Sequence, residues 1–151
     1  MLFRSYTCKY PELFSPIELA GTLFRNRIFA SPTGGQPTYY KNRPIPEYIA
    51  YYERKATGGA ASVCIGDAMP DSEHALANGS HIMLDDPGVK PQLNKLSEAI
   101  RRHGAVAAIE ISHGGSSARI SYGEGHKIYG PVECDSESFG LRIHAEAKTR
   151  P

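Results

Sequence analysis

The feature that most constrains this chain is an alternation of short apolar runs with helix-patterned segments. Ile28-Phe29-Ala30 ends at Ser31-Pro32-Thr33-Gly34-Gly35, and Ala61-Ser62-Val63-Cys64-Ile65 ends at Gly66-Asp67. Ala105-Val106-Ala107-Ala108-Ile109 leads into Glu110-Ile111-Ser112-His113-Gly114-Gly115. Between the first two runs, Pro46 suits a first helical position, where its missing N–H costs no hydrogen bond. Ile45, Ile49, Tyr52 and Ala56 then recur on one helical face, and Gly58-Gly59 stops the helix. Between the second and third, Asp85-Asp86-Pro87 reads as a capped helix start, Val89, Leu93, Leu96 and Ile100 form the apolar stripe, and Gly104 ends it. Strands that are apolar throughout are buried on both faces, so the pattern predicts an α/β fold of parallel strands covered by helices. A hairpin over residues 16–24, turning at Ala20-Gly21, precedes the first run. From Ser116 onward the pattern weakens to Gly, Ser and charged residues, which predicts mostly loop.

Composition removes several function classes. The 151 residues suit one ordinary domain, and 40% hydrophobic with 22% charged residues supports a core. A net charge of +1 supplies no electrostatic basis for nucleic acid or an anionic membrane as partner. The longest fully apolar run, Ala105 to Ile109, is far too short to span a bilayer. The amino-terminal residues reach Lys9 and Pro11 before any signal-like apolar block forms. Three cysteines, Cys8, Cys64 and Cys134, make no CxxC pair, so no structural zinc or iron-sulfur site is expected. Cys64, inside an apolar run, reads as a core residue, and a reducing cytoplasm is the natural compartment. His74, His81, His126 and His144 show no metal-ligand spacing.

In folds of this class the ligand lies beyond the carboxyl ends of the strands, so the three turns point to one shared pocket. No GxxxxGK loop is present and no GxGxxG follows a strand. A planar, hydrogen-bonding ligand lying across the strand ends fits better than a phosphate bound end-on, and the small residues Ala30 to Gly34 allow close backbone approach. His113 either fixes its own loop through backbone hydrogen bonds or faces the ligand. Glu110 ends a buried strand, where an ionised carboxylate is costly unless paired. It either points to the pocket mouth and meets a ligand or cation, or caps a neighbouring loop. His103 reads as an exposed residue at a helix end. Tyr39, Tyr40, Tyr48, Tyr51 and Tyr52 read as packing residues, because no basic excess accompanies them.

Leu13-Phe14-Ser15-Pro16-Ile17-Glu18-Leu19 and Leu23-Phe24-Arg25-Asn26-Arg27-Ile28-Phe29-Ala30-Ser31-Pro32 resemble the opening of the Old Yellow Enzyme family. These are FMN-dependent NAD(P)H:flavin oxidoreductases, including 2,4-dienoyl-CoA reductase and enoate reductases. Residues 51–60 resemble the family's second block, residues 96–104 with 109–115 its third, and Tyr129-Gly130-Pro131 its later Gly-Pro element. The resemblance covers about residues 10 to 133, leaving 134–151 as a poorly defined tail. It implies a (β/α)8 TIM barrel with FMN at the strand carboxyl ends, NADH or NADPH as hydride donor, and an enoyl or enone substrate. Carried over by position, Ala30, Ser31, Pro32, Thr33 and Gly34 line the flavin, and Gly66 and Asp67 lie near its ring. Glu110 takes the place of a glutamine that grips the pyrimidine edge. His113 matches the histidine of the family's active-site turn. Two departures stand out: Gly34 replaces a Cys or Thr that tunes the flavin, and Glu110, once ionised, can only accept hydrogen bonds where the amide could also donate.

A complete barrel of this kind needs about 250 residues. The chain supplies roughly three of its strands and lacks the later substrate, phosphate and iron-sulfur regions. The expectation is therefore an N-terminal portion of a barrel, inactive alone and completed by a complementing chain or by homo-oligomerisation. The alternative is a non-catalytic partial-barrel remnant or interaction module.

Overall fold

The computed structural model describes residues 8–33, 39–40, 43–136 and 140–145. The amino-terminal hairpin is formed by β1 (Ile17–Leu19) and β2 (Thr22–Phe24), antiparallel with Ile17 opposite Phe24. The main sheet comprises β3 (Phe29–Ala30), then, after the short antiparallel pair β4 (Tyr39–Tyr40) and β5 (Arg43–Pro44), the helix α1 (Pro46–Thr57) and the long strand β6 (Ser62–Met69). β7 (Ile82–Met83), α2 (Lys90–Arg101) and β8 (Val106–Ile111) complete it. β6 is the centre, pairing in parallel with β3 and β8 on its two sides and with β7 at its carboxyl end. This is the parallel, helix-covered arrangement that the apolar runs predict.

The core lies between the sheet and the two helices. Tyr48, Tyr52, Val63, Ile82, Leu96 and Ile100 have no solvent exposure, and Ile45, Ile49 and Leu93 pack against them. The tyrosines are thus packing residues, each contributing on the order of 1.5–3 kcal/mol by burial. α1 begins at Pro46, carries Glu47 in its first turn and Arg54 and Lys55 in its last, each favourable to the helix dipole. Gly59, at φ +103°, supplies the left-handed turn that returns the chain to β6.

Three local expectations are corrected. Gly66-Asp67 does not end the second strand. The register shifts between Ile65 opposite Ile109 and Ala68 opposite Ile111, so these residues form a bulge and pairing resumes beyond it. The Gly66–Asp67 peptide is cis. The second helix starts at Lys90 rather than at Pro87. Asp86 is spent on a turn and an ion pair: its carboxylate accepts from Gly88 N at 2.9 Å and from Arg43 Nη2 at 2.7 Å, and its carbonyl from Val89 N at 3.0 Å. Beyond Ser116, α3 (Arg119–Gly123) is followed by β9 (Ile128–Gly130), β10 (Cys134–Ser136) and β11 (Leu141–Ala145). β11 pairs with β10 antiparallel and with β9 in parallel, over a small core of Ala118, Ile128 and Ile143. Spaced single apolar residues in short strands carry too little periodicity to be read from sequence.

Among the described residues, no helix is long and apolar enough to cross a membrane.

Candidate functional site

The bulge of β6 brings the three strand-end turns together. A Cβ placed on Gly66 would lie 2.6 Å from Pro32 Cβ and 3.0 Å from Glu110 Oε2. Residues from the turn after β3, the bulge of β6 and the end of β8 therefore meet at one glycine, and only glycine fits there. The Gly66 backbone is held from below. Its carbonyl accepts from the hydroxyls of Tyr48 at 2.6 Å and Tyr52 at 3.0 Å, and its N–H donates to the Tyr52 oxygen at 3.2 Å. The Tyr52 hydroxyl also lies 2.9 Å from the Thr33 carbonyl, and Lys55 Nζ donates to Thr33 Oγ1 at 3.0 Å. One turn of α1 thus sets the height of two strand ends at once. The ammonium of Lys55 sits 4.6 Å and 4.8 Å from the Tyr51 and Tyr52 ring centres.

Glu110 is solvent-exposed, at the outer end of β8, with no partner for its carboxylate among the described residues. Its Oε2 would lie 3.0 Å from a Cβ built on Gly66, so the carboxylate borders the notch. The carboxylate also helps burial to push the Cys64 thiol up, burial being the larger cause. Cys64 is therefore a weak nucleophile. His113 is exposed, and its Nδ1 accepts from Gly115 N at 3.0 Å. That hydrogen bond fixes the loop and leaves the proton on Nε2, directed away from it. Gly114 is required because a Cβ there would stand 2.4 Å from the Ala75 carbonyl oxygen. Ser31 and Pro32 are exposed, Ala30 and Thr33 half-buried, and Gly34 lies outside the described residues.

Asp67 points elsewhere than Gly66. Its carboxylate accepts from the Ser112 hydroxyl at the end of β8 and lies 3.0 Å from His81 Nδ1, at the start of β7. Neither His81 nor Ser112, nor the Tyr48, Tyr52 and Lys55 support, was legible as part of the site. The only sequence signal is the i, i+4 and i+3 spacing that puts Tyr48, Tyr52 and Lys55 on one face of α1. His103, expected to be exposed, is half-buried, and its Nε2 is 2.7 Å from Glu53 Oε1. His74 and His126 converge on Glu73, at 3.5 Å and 3.3 Å. Among the described residues, no group of three or more His, Cys, Asp or Glu side chains is arranged to hold a metal.

The model of the NADH:flavin oxidoreductase / NADH oxidase family matches residues 12–149. N,N-dimethylglycine/sarcosine dehydrogenase of Chromohalobacter salexigens is 29% identical over 113 residues, covering 73% of this chain and 16% of that protein. NADH:acrylate oxidoreductase of Vibrio harveyi is 28% identical over 127 residues, covering 84% of this chain and 12% of that protein. The chain thus spans less than a fifth of the length of these two relatives. In three dimensions, Old Yellow Enzyme from Pichia sp. AKU4542 superposes with a TM-score of 0.77 at 16% identity, covering 91% of this chain and 38% of that one. The likeness extends to the α/β TIM-barrel architecture. With a family model matching from the amino-terminal hairpin to beyond β11, this chain belongs to the NADH:flavin oxidoreductase family, the Old Yellow Enzymes.

Proposed function

We propose that this chain forms the first part of the barrel of an FMN-dependent NAD(P)H oxidoreductase that reduces an activated alkene. The observation that carries the reading is the meeting of Pro32, Gly66 and Glu110, from three different strands of the sheet and their turns, at a notch that admits no side chain. A flat ring system needs such close backbone approach, and the residues present fit it. Ala30 to Thr33 offer small side chains and backbone, Gly66 leaves room, and Glu110 offers an acceptor for a ring N–H. The chemistry FMN supplies when bound is hydride transfer, from NADH or NADPH to the alkene. The chain's own part is to orient and to set charge. Tyr48, Tyr52 and Lys55 hold the Gly66 and Thr33 backbone, Glu110 places a negative charge at the notch, and His113 presents Nε2–H.

The second reading is an interaction module, favoured by the flanks of the sheet. Neither the outer edge of β3 nor that of β8 pairs with another strand among the described residues. Phe29, Ile109 and Ile111 there are 44%, 36% and 64% exposed. Further strands, from the same polypeptide or from a complementing chain, would cover these edges.

The test is purification of the polypeptide carrying this sequence, with flavin absorbance and NAD(P)H-dependent turnover of acrylate and enone substrates, beside sarcosine as an amine control. Stoichiometric FMN with alkene reduction is expected. Absence of flavin favours the interaction module, and turnover of sarcosine alone overturns the alkene assignment. Residues 1–151 in isolation are expected to hold no stoichiometric FMN. A yellow protein from that chain alone would remove the need for further strands.

A further inference from the structure

His81 is 1% exposed, and among the described residues its Nδ1 is the one buried side-chain nitrogen or oxygen lacking an aligned hydrogen-bond partner. Its other nitrogen, Nε2, accepts from Asn78 N at 3.2 Å. That acceptance fixes the tautomer: the proton is on Nδ1, which lies 3.0 Å from Asp67 Oδ2 off the line of a good hydrogen bond. The opposite oxygen of Asp67 accepts from the Ser112 hydroxyl. One carboxylate, about a quarter exposed, is thus gripped from β7 and from the end of β8 at once. Backbone joins the turn after β8 to β6 and to the loop that follows β6, through Ser112 N to the Ala68 carbonyl at 2.8 Å and Gly114 N to the Ala75 carbonyl at 3.0 Å.

We propose that Asp67 is a positioning residue: anchored by His81 and Ser112, it ties the bulge of β6 to the turn after β8 and so sets the spacing of Gly66 and Glu110 across the notch. The proposal deepens the flavin-site reading and rests on it for its functional meaning. Asp67 then serves the site through the backbone on either side of it, and its neighbour Gly66 forms the surface.

The hydrogen bond of His81 to Asn78 and its contact with Asp67 can be cut separately. Asn at position 81 can place an N–H where Nδ1 stands but cannot reach Asn78, whereas Gln can accept from Asn78 N but leaves Asp67 without its imidazole. The experiment is hydrogen exchange for wild type, H81N, H81Q and D67N on the polypeptide that carries this sequence together with the strands that cover its sheet edges, with FMN titration by fluorescence quenching. H81Q and D67N are expected to speed exchange of residues 112–118 about tenfold and to weaken FMN binding by a similar factor. H81N is expected to speed exchange of residues 76–80 and to leave 112–118 within about twofold of wild type. Equal loosening of both segments by H81N and H81Q, or wild-type exchange of 112–118 in H81Q, overturns the proposal. Failure of that wild-type polypeptide to bind FMN, with the exchange contrast intact, overturns the flavin reading and leaves the tie between the two turns standing.

Discussion

The two ends of the parallel sheet are built on different principles. At the amino end a set of polar groups is engaged with one another and with backbone. Arg25 donates to the carbonyls of Ala56 and Ala60, each at 2.9 Å, and of His103 at 2.5 Å, so one guanidinium caps the carboxyl ends of both helices. Asn26 donates to the Gly59 carbonyl at 2.8 Å and accepts from Ile28 N at 3.0 Å. The Glu53 carboxyl is held below the usual carboxylate range by the His103 ring and then by Arg102. At the carboxyl end Glu110 has no partner among the described residues, His113 keeps a nitrogen free of its loop, and Gly66 leaves a notch. Satisfied groups at one end and available ones at the other are what a barrel enzyme requires: rigidity below, chemistry above.

The largest expected break in this contrast is Gly66→Ala. The added methyl meets Pro32 at 2.6 Å, and the notch must open or the strands must part. Overpacking of this sort costs about 1–3 kcal/mol and should abolish flavin binding, measured by urea unfolding and by FMN titration. Next comes Arg25→Ala at the opposite end. Loss of its three charge-assisted hydrogen bonds should cost about 2 kcal/mol in urea unfolding while leaving the potential of bound flavin unchanged. A shifted potential would show that the two ends are not independent.

Glu110→Gln should do the reverse. An exposed substitution should change stability by no more than about 0.5 kcal/mol. Removing a negative charge beside the notch should nevertheless raise the flavin reduction potential, since an anionic reduced flavin is then less opposed. A spectroelectrochemical titration that finds an unchanged or lowered potential would remove Glu110 from the notch. The smallest effect is expected from pH. Asp86, paired with Arg43, has its carboxyl lowered from the ordinary 3.8 to about 2. A carboxyl depressed by folding adds stability that is complete above its unfolded value and is lost as pH falls through the folded one. Unfolding midpoints should therefore fall between about pH 4 and pH 2, and Arg43→Gln should flatten part of that slope.

How much of this was legible in the chain can be judged residue by residue. Apolar continuity in residues 61–65 and 105–109, and the stripes through Tyr52 and Leu96, were enough for a parallel sheet under two helices, although only β6 is buried along its length and β8, read as a buried strand, is half-buried to exposed at the edge of the sheet. The proposed site's location was argued from the turns that follow those strands. The bulge at Gly66-Asp67 was not legible, since a two-residue polar break reads the same whether a strand ends or is merely offset. Nor was the ion pair that takes Asp86 from its helix, for Arg43 lies far away in sequence. The strands after Ile128 were too short to carry a period.

What the sequence by itself determined is the order of the main strands and helices up to residue 111, and the family. These are local properties, set by periodicity and by turn chemistry. What only the tertiary structure decided is how the turns combine: that Pro32 and Glu110 close on Gly66, and that His81 and Ser112 share Asp67. Those arrangements depend on register between strands and on which side chains burial leaves without water, and neither is written in the spacing of residues along the chain.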